Sequence, residues 1–154
     1  MRFSTKGRYG IRAMIDLALH EAGRPVSTRS IAERQEFSAD YLEQIFRDLR
    51  KKGLVRSVRG PRGGFVLARG LDKITVWDII EALEETMSPA PCAAEDEGQG
   101  SPCPRIAYCT ATALWNKIGR ELHELLAKTT LEDIVLEARK TLKTSPSHKH
   151  MFHI

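Results

Sequence analysis

The 154-residue sequence predicts a mainly α-helical protein with one small β-hairpin. Three observations carry that reading. Apolar residues recur at the i, i+3, i+4, i+7 spacing of a helix in residues 9–22, 38–52 and 107–128. One pair of β-rich runs, residues 54–58 and 65–68, flanks the turn Arg59-Gly60-Pro61-Arg62-Gly63-Gly64. The composition is 42% hydrophobic and 29% charged, that of a globular chain. A chain of this length buries about 70% of its unfolded surface and needs no staples.

Each element has its own signal. Ile11, Met14, Ile15, Ala18 and Leu19 make the inward stripe of a first helix, which Gly23-Arg24-Pro25 ends. Ser27 or Thr28 caps a short helix through about residue 34, with Ile31 and Ala32 inward. Gln35-Glu36-Phe37 is a brief connection, and Ser38 caps a third helix to about residue 52. Leu42, Ile45, Phe46 and Leu49 form its buried side, and Gly53 sits where a left-handed cap belongs. After the hairpin, Thr75 and Asp78 have capping-box spacing and open a helix to about residue 85. Residues 87–106 hold four of the seven prolines and an acidic run, and read as a loop. A long helix resumes over 107–128 with a seam of Ala111, Leu114, Ile118, Leu122 and Leu125. A last helix starts at Thr130 and runs to about residue 142, before a flexible tail. The expected division is a helix-and-hairpin unit over 1–85, a loop over 86–106, a long helix and last helix over 107–142, and a tail over 143–154.

Charge separates the two halves. Residues 1–70 carry 15 Lys and Arg against 7 Asp and Glu, a net of +8, while residues 71–154 carry 9 against 13, a net of −4. A basic half points to a polyanionic partner. No apolar run approaches the ~20 residues of a membrane span, and no signal-peptide core is present, so a cytoplasmic protein without a membrane role is expected.

Helix, short helix, tight turn, helix and hairpin is the order of a winged helix-turn-helix. Its third helix must bury one side and offer base edges the other. Ser38, Asp40, Tyr41, Glu43, Gln44, Arg47 and Arg50 lie on that offered side. Gln pairs bidentately with adenine, Arg with guanine, and Glu accepts from cytosine. Arg59 and Arg62 at the hairpin tip reach phosphates or a minor groove, and Gly63 and Gly64 let the backbone come close. Lys6, Arg8, Arg12 and Arg29 are further candidates for phosphate contacts.

Cys92, Cys103 and Cys109 follow the spacing C-x10-C-x5-C. Three thiols within 18 residues of a proline- and glycine-rich loop suit an iron–sulfur or metal centre. Zinc, a thiol redox sensor and inert cysteines are the alternatives, although no CxxC knuckle is present.

The stretches MRFSTKGRYGIRAMIDLAL, SADYLEQIFRDLRKKGLV and RSVRGPRGGFVLAR resemble the iron–sulfur cluster-binding winged-helix transcription regulators of the IscR and NsrR type. The resemblance covers about residues 1–142. It implies a non-enzymatic regulator, sensing cluster status, redox state or nitric oxide, that binds a two-fold symmetric double-stranded DNA site as a homodimer. It puts Tyr41, Glu43 and Gln44 on the recognition helix and residues 59–64 in the wing, and it makes Cys92, Cys103 and Cys109 the cluster ligands. Two positions depart from the family. Members with a two-iron cluster carry a histidine where Thr112 stands, and the NsrR branch carries an acid where Arg8 stands. Three thiolates without a protein fourth ligand favour [4Fe–4S] over [2Fe–2S], with Glu95, Asp96 and Glu97 as nearby carboxylates.

Other residue patterns carry less. His20 and His123 are expected to be solvated, Trp77 and Trp115 to be core, and His148, His150 and His153 to belong to the tail. No G-x-S-x-G, P-loop or dinucleotide fingerprint occurs. A small iron–sulfur electron carrier leaves RGPRGG and the basic half unexplained. A metal-free winged-helix regulator with thiol-based redox sensing accounts for both.

Overall fold

The structure, a computed structural model, describes residues 4–83, 90, 103–105 and 108–144. Among these, six α-helices and a two-stranded antiparallel hairpin follow the expected order. Helix α1 spans Thr5–His20 and starts earlier than its apolar stripe, because Ser4 accepts the Gly7 N–H as N-cap. Helix α2 spans Thr28–Gln35, capped by Ser27, and α3 spans Ala39–Lys51, capped by Ser38. Between them Glu36 takes the left-handed conformation at φ 57°. A non-glycine residue there gives no sequence cue to the turn.

Strands β1 (Val55–Val58) and β2 (Gly64–Leu67) pair with Val55 opposite Leu67 and Val58 opposite Gly64. A 3₁₀ turn at Leu71–Lys73 leads to α4 (Val76–Ala82), whose capping box between Thr75 and Asp78 is formed as expected. Gly53 follows α3 at φ +68°, also as expected.

One core serves the winged unit. Met14 and Leu17 of α1, Ile31 of α2, the α3 stripe Leu42, Ile45, Phe46 and Leu49, and Ile79 of α4 are all fully buried within it. At about 1.5–3 kcal/mol per fully buried large apolar side chain, this burial is the main force holding these helices together. Gly10 lets α1 and the end of α4 approach, since a Cβ there would meet Leu83 Cδ1 at 2.2 Å.

Helix α5 spans Thr112–Lys128 and begins five residues later than its apolar pattern suggests. The chain first makes a turn in which the Thr112 N–H donates to the Cys109 carbonyl at 3.2 Å. Helix α6 spans Leu131–Thr144, two residues beyond the expected end, and folds back onto α1. Leu131 and Val135 of α6 are buried in the winged unit's core. The starts of α4 and α6 are tied by an isolated bridge between Thr75 and Thr130.

The seam expected along α5 divides into two faces. Leu122 and Leu126 turn inward against Val76 and Ile80 of α4. Leu114, Ile118 and Leu125 face outward, 54%, 37% and 63% exposed. Trp77 is half-buried rather than core and meets the ring of exposed His123 edge-on at 4.4 Å. Trp115 is likewise half-buried rather than core. Among the described residues, no helix is long and apolar enough to cross a membrane.

Candidate nucleic-acid interface and thiolate site

Helix α3 owes its placement to its buried face, and that leaves Glu43, Gln44, Arg47 and Arg50 exposed on the other side. Ser38 is exposed and accepts the Tyr41 N–H at 3.5 Å. Tyr41 is only half open. Its ring meets Tyr9 edge-on at 5.8 Å, and Tyr9 stacks on Phe37 at 4.0 Å. The tyrosine therefore also locks the start of α3 to α1. Lys6 pairs with Asp48 at 3.0 Å, a second link between α1 and α3. Hydrogen bonding from Lys6, and secondarily from Lys51, holds the Asp48 carboxyl below its ordinary value.

The wing is fastened at three points. Phe65 packs on Phe46 at 4.8 Å. Val26 and Phe65 exchange backbone hydrogen bonds of 2.9 and 2.8 Å. The Leu67 N–H donates to Glu21 Oε2 at 3.1 Å. Gly64 is required by this packing, and Gly63 by the hairpin turn itself. A Cβ at Gly63 would sit 2.4 Å from the Val58 carbonyl oxygen, and one at Gly64 would sit 2.3 Å from that of Val26. Arg59 and Arg62 are exposed at the tip, where Gly60 turns the chain at φ +124°.

The additional cations differ in availability. Arg12 is not a surface contact. Its Nε donates to Gln35 Oε1, its Nη2 donates to the Gln35 carbonyl, and its guanidinium lies 4.5 Å over the Phe37 ring. Burial pushes its pKa down. Arg29 pairs with Glu33, but both side chains are well exposed and such pairs hold weakly. Arg8 is exposed. Behind Arg12 lies a polar network that periodicity does not reveal. Buried Asp16 receives Nε and Nη2 of Arg34 and Nε2 of Gln35, at 2.5–3.1 Å. Asp16 falls on the buried side of α1 with Ala13 and Leu17, and an acid at an inward position is the signal that could have found it.

Of the three cysteines, Cys92 lies outside the described residues, as do Glu95, Asp96 and Glu97. Cys103 and Cys109 are half-buried and are not disulfide-bonded. Cys109 stands just ahead of α5. The Ala111 N–H, then the Thr112 hydroxyl and N–H, lower the Cys109 thiol below its ordinary value. Helix N-termini favour thiolate in this way, and thiolate is the metal-binding form. Thr112 Oγ1 is buried and faces the Cys109 sulfur, with no oxygen or nitrogen partner among the described residues. A thiolate at Cys109 is a better acceptor for that hydroxyl than a thiol. The donor set therefore fits a thiolate-held centre, although among the described residues no three His, Cys, Asp or Glu side chains gather.

Residues 3–137 match the profile of Rrf2, described as an iron-dependent transcriptional regulator. This chain belongs to the Rrf2 family. It is 41% identical over 135 residues to the HTH-type transcriptional regulator IscR of Xenorhabdus nematophila, covering 88% of this chain and 79% of that protein. The solved structure of IscR from T. potens superposes with a TM-score of 0.73 at 40% identity, over 92% of this chain and 90% of the other. CymR, the global cysteine regulator of B. subtilis, superposes at 0.71 and 42% identity, over 89% and 98%. The Rrf2 family is one of transcription regulators rather than enzymes, and membership implies a DNA partner.

Proposed function

We propose that this Rrf2 regulator is an iron–sulfur-dependent homodimer that acts in the cytoplasm on a two-fold symmetric duplex. The observation that carries the cluster reading is the turn before α5, where half-buried Cys109 stands against the Ala111 and Thr112 N–H groups and the buried Thr112 hydroxyl, which lower its thiol below the ordinary value. Cys92, Cys103 and Cys109 hold the centre. Thr112, being neutral and poorly ligating, leaves it one protein ligand short, which favours [4Fe–4S] over [2Fe–2S]. When bound, such a cluster supplies a centre whose occupancy and oxidation respond to oxygen, nitric oxide and iron supply.

The chain's own residues then divide the work. Residues 1–85 read DNA, 86–106 carry the first two cysteines, and 107–142 dimerise. Ser38, Tyr41, Glu43, Gln44 and Arg47 approach base edges and the adjoining backbone, and Arg59, Arg62, Gly63 and Gly64 form the wing's contact. Leu114, Ile118 and Leu125 form one outward stripe on α5, which a second copy covers isologously. Gathering three cysteines at one centre restrains the chain between α4 and α5. The placement of the two winged units, and with it DNA affinity, follows.

A second reading has a specific support. The likeness to CymR and the acidified Cys109 suit a metal-free regulator that senses redox state through its thiols. Purification without oxygen, followed by iron and sulfide analysis and a visible spectrum, separates the two. The cluster reading predicts bound iron and sulfide, lost in Cys103→Ala. A colourless wild-type protein without either establishes the thiol reading instead.

A further inference from the structure

A shallow cleft of about 500 Å³ opens between the α1–α2 turn, the start of α2 and the wing turn. Arg24, Arg34, Arg62, His20, Ser27 and Ser30 line it, and no acidic residue does. The three arginines come from three segments. Arg34 is oriented by buried Asp16, which takes its Nε and Nη2 and leaves Nη1 without a partner among the described residues. Arg24 and Arg62 are exposed and meet no carboxylate among the described residues. Mutual repulsion would spread such a set unless the backbone held it together. Here it does, because the Val26–Phe65 hydrogen bonds join the α1–α2 turn to β2, close in sequence to both arginines. The absent Cβ atom of Gly64 permits that approach, since one there would meet the Val26 carbonyl and the Ser27 N. The result is a preorganised cationic notch between the wing and α2, and no residue of α3 lines it.

We propose that this cleft is a phosphate seat, in which Arg24 and Arg62 close on one tetrahedral phosphate group over the oriented Arg34. The phosphate is either a duplex backbone group, which rests on the DNA-binding reading above, or a free phosphate. Arginine suits either source, since its fork matches phosphate oxygens bidentately. Seating a backbone phosphate there would fix how deeply the wing enters its groove without carrying sequence information.

The test uses full-length wild type, Arg24→Ala, Arg62→Ala and the double variant, all at exposed side chains. In one arm, duplex affinity is measured by fluorescence anisotropy between about 50 and 200 mM KCl. A backbone seat predicts that each single variant loses about 0.9 from the slope of log K against log salt, and the double about twice that, with the ranking of duplex sequences unchanged. In the other arm, inorganic phosphate is titrated into DNA-free protein, and the amide resonances of Ser27, Ser30 and Gly63 are followed. A free-phosphate seat predicts saturable shifts that the double variant loses, with the salt slope intact in Arg24→Ala, whose side chain has no part in the wing's own DNA contact. An unchanged slope in Arg24→Ala together with absent or unaltered phosphate shifts overturns the seat. If wild type binds no duplex at all, the DNA reading fails, and the phosphate arm still decides the cleft.

Discussion

The winged unit and the outward face of α5 treat apolar surface in opposite ways. In the winged unit, four large side chains of α3 are fully enclosed by the elements around them. On α5, Leu114 and Leu125 leave more than half of their surface open, and the Thr112 hydroxyl at its start is buried with only the Cys109 sulfur to face among the described residues. One region completes itself from its own chain. In the proposed regulator, the other holds groups that a centre at Cys109 and a second copy along the outward stripe would satisfy. On the proposed reading the winged unit is a self-sufficient reading head and the adjoining arm is conditional, which is the arrangement a regulated DNA-binding protein needs.

The largest effect that sharpens this contrast is at the cysteines. Replacing Cys92, Cys103 or Cys109 with Ala should abolish bound iron and sulfide, while far-UV circular dichroism of the winged unit stays native. Equal loss of helix signal would show that the two regions are not separable. Within the head, Phe46→Ala should cost about 3–5 kcal/mol in urea unfolding, because it opens a cavity under both α3 and the wing.

The arm should respond through assembly instead of folding. Leu125→Glu, placed on two copies of α5, should weaken dimerisation by about 3–6 kcal/mol, read by sedimentation, with little change in thermal stability at the head. Leu122→Glu should behave in the opposite manner and destabilise the monomer, since Leu122 packs on α4. Gln44→Ala should shift base preference by about 1–3 kcal/mol, measured across single-base variants of one duplex. The smallest effect concerns acid. The Asp48 carboxyl is held low by Lys6, so its contribution to stability is present above about pH 4 and is lost as pH falls through its depressed value. Asp48→Asn should flatten that acid limb by well under about 1 kcal/mol, because the pair is partly exposed.

The same division marks what is legible in the sequence. Helix order, the Ser38 cap, the Thr75 capping box and the α3 stripe are readable because each depends on local spacing or one hydrogen bond between near neighbours. The Asp16 network, the Glu21 bond to Leu67 and the Val26–Phe65 bridge join residues far apart in the chain, and local patterning does not encode such pairs. The α5 seam reads as one face because five apolar residues at nearly helical spacing look continuous. Only packing on α4 separates Leu122, which turns inward, from Ile118 and Leu125, which turn outward. Arg12 reads as a surface cation because a guanidinium laid over Phe37 leaves no trace in charge counting. Of the candidate cluster ligands, Cys103 and Cys109 can be placed, and Cys92 lies outside the described residues.

In the proposed regulator, the state of the cysteine site sets the affinity of the winged units for DNA. The most direct measurement is the binding of one duplex to the same anaerobic preparation before and after its iron and sulfide are removed by chelation. Two different dissociation constants are expected, with the difference abolished in Cys109→Ala. Identical constants for a preparation shown to have carried the cluster would contradict the coupling.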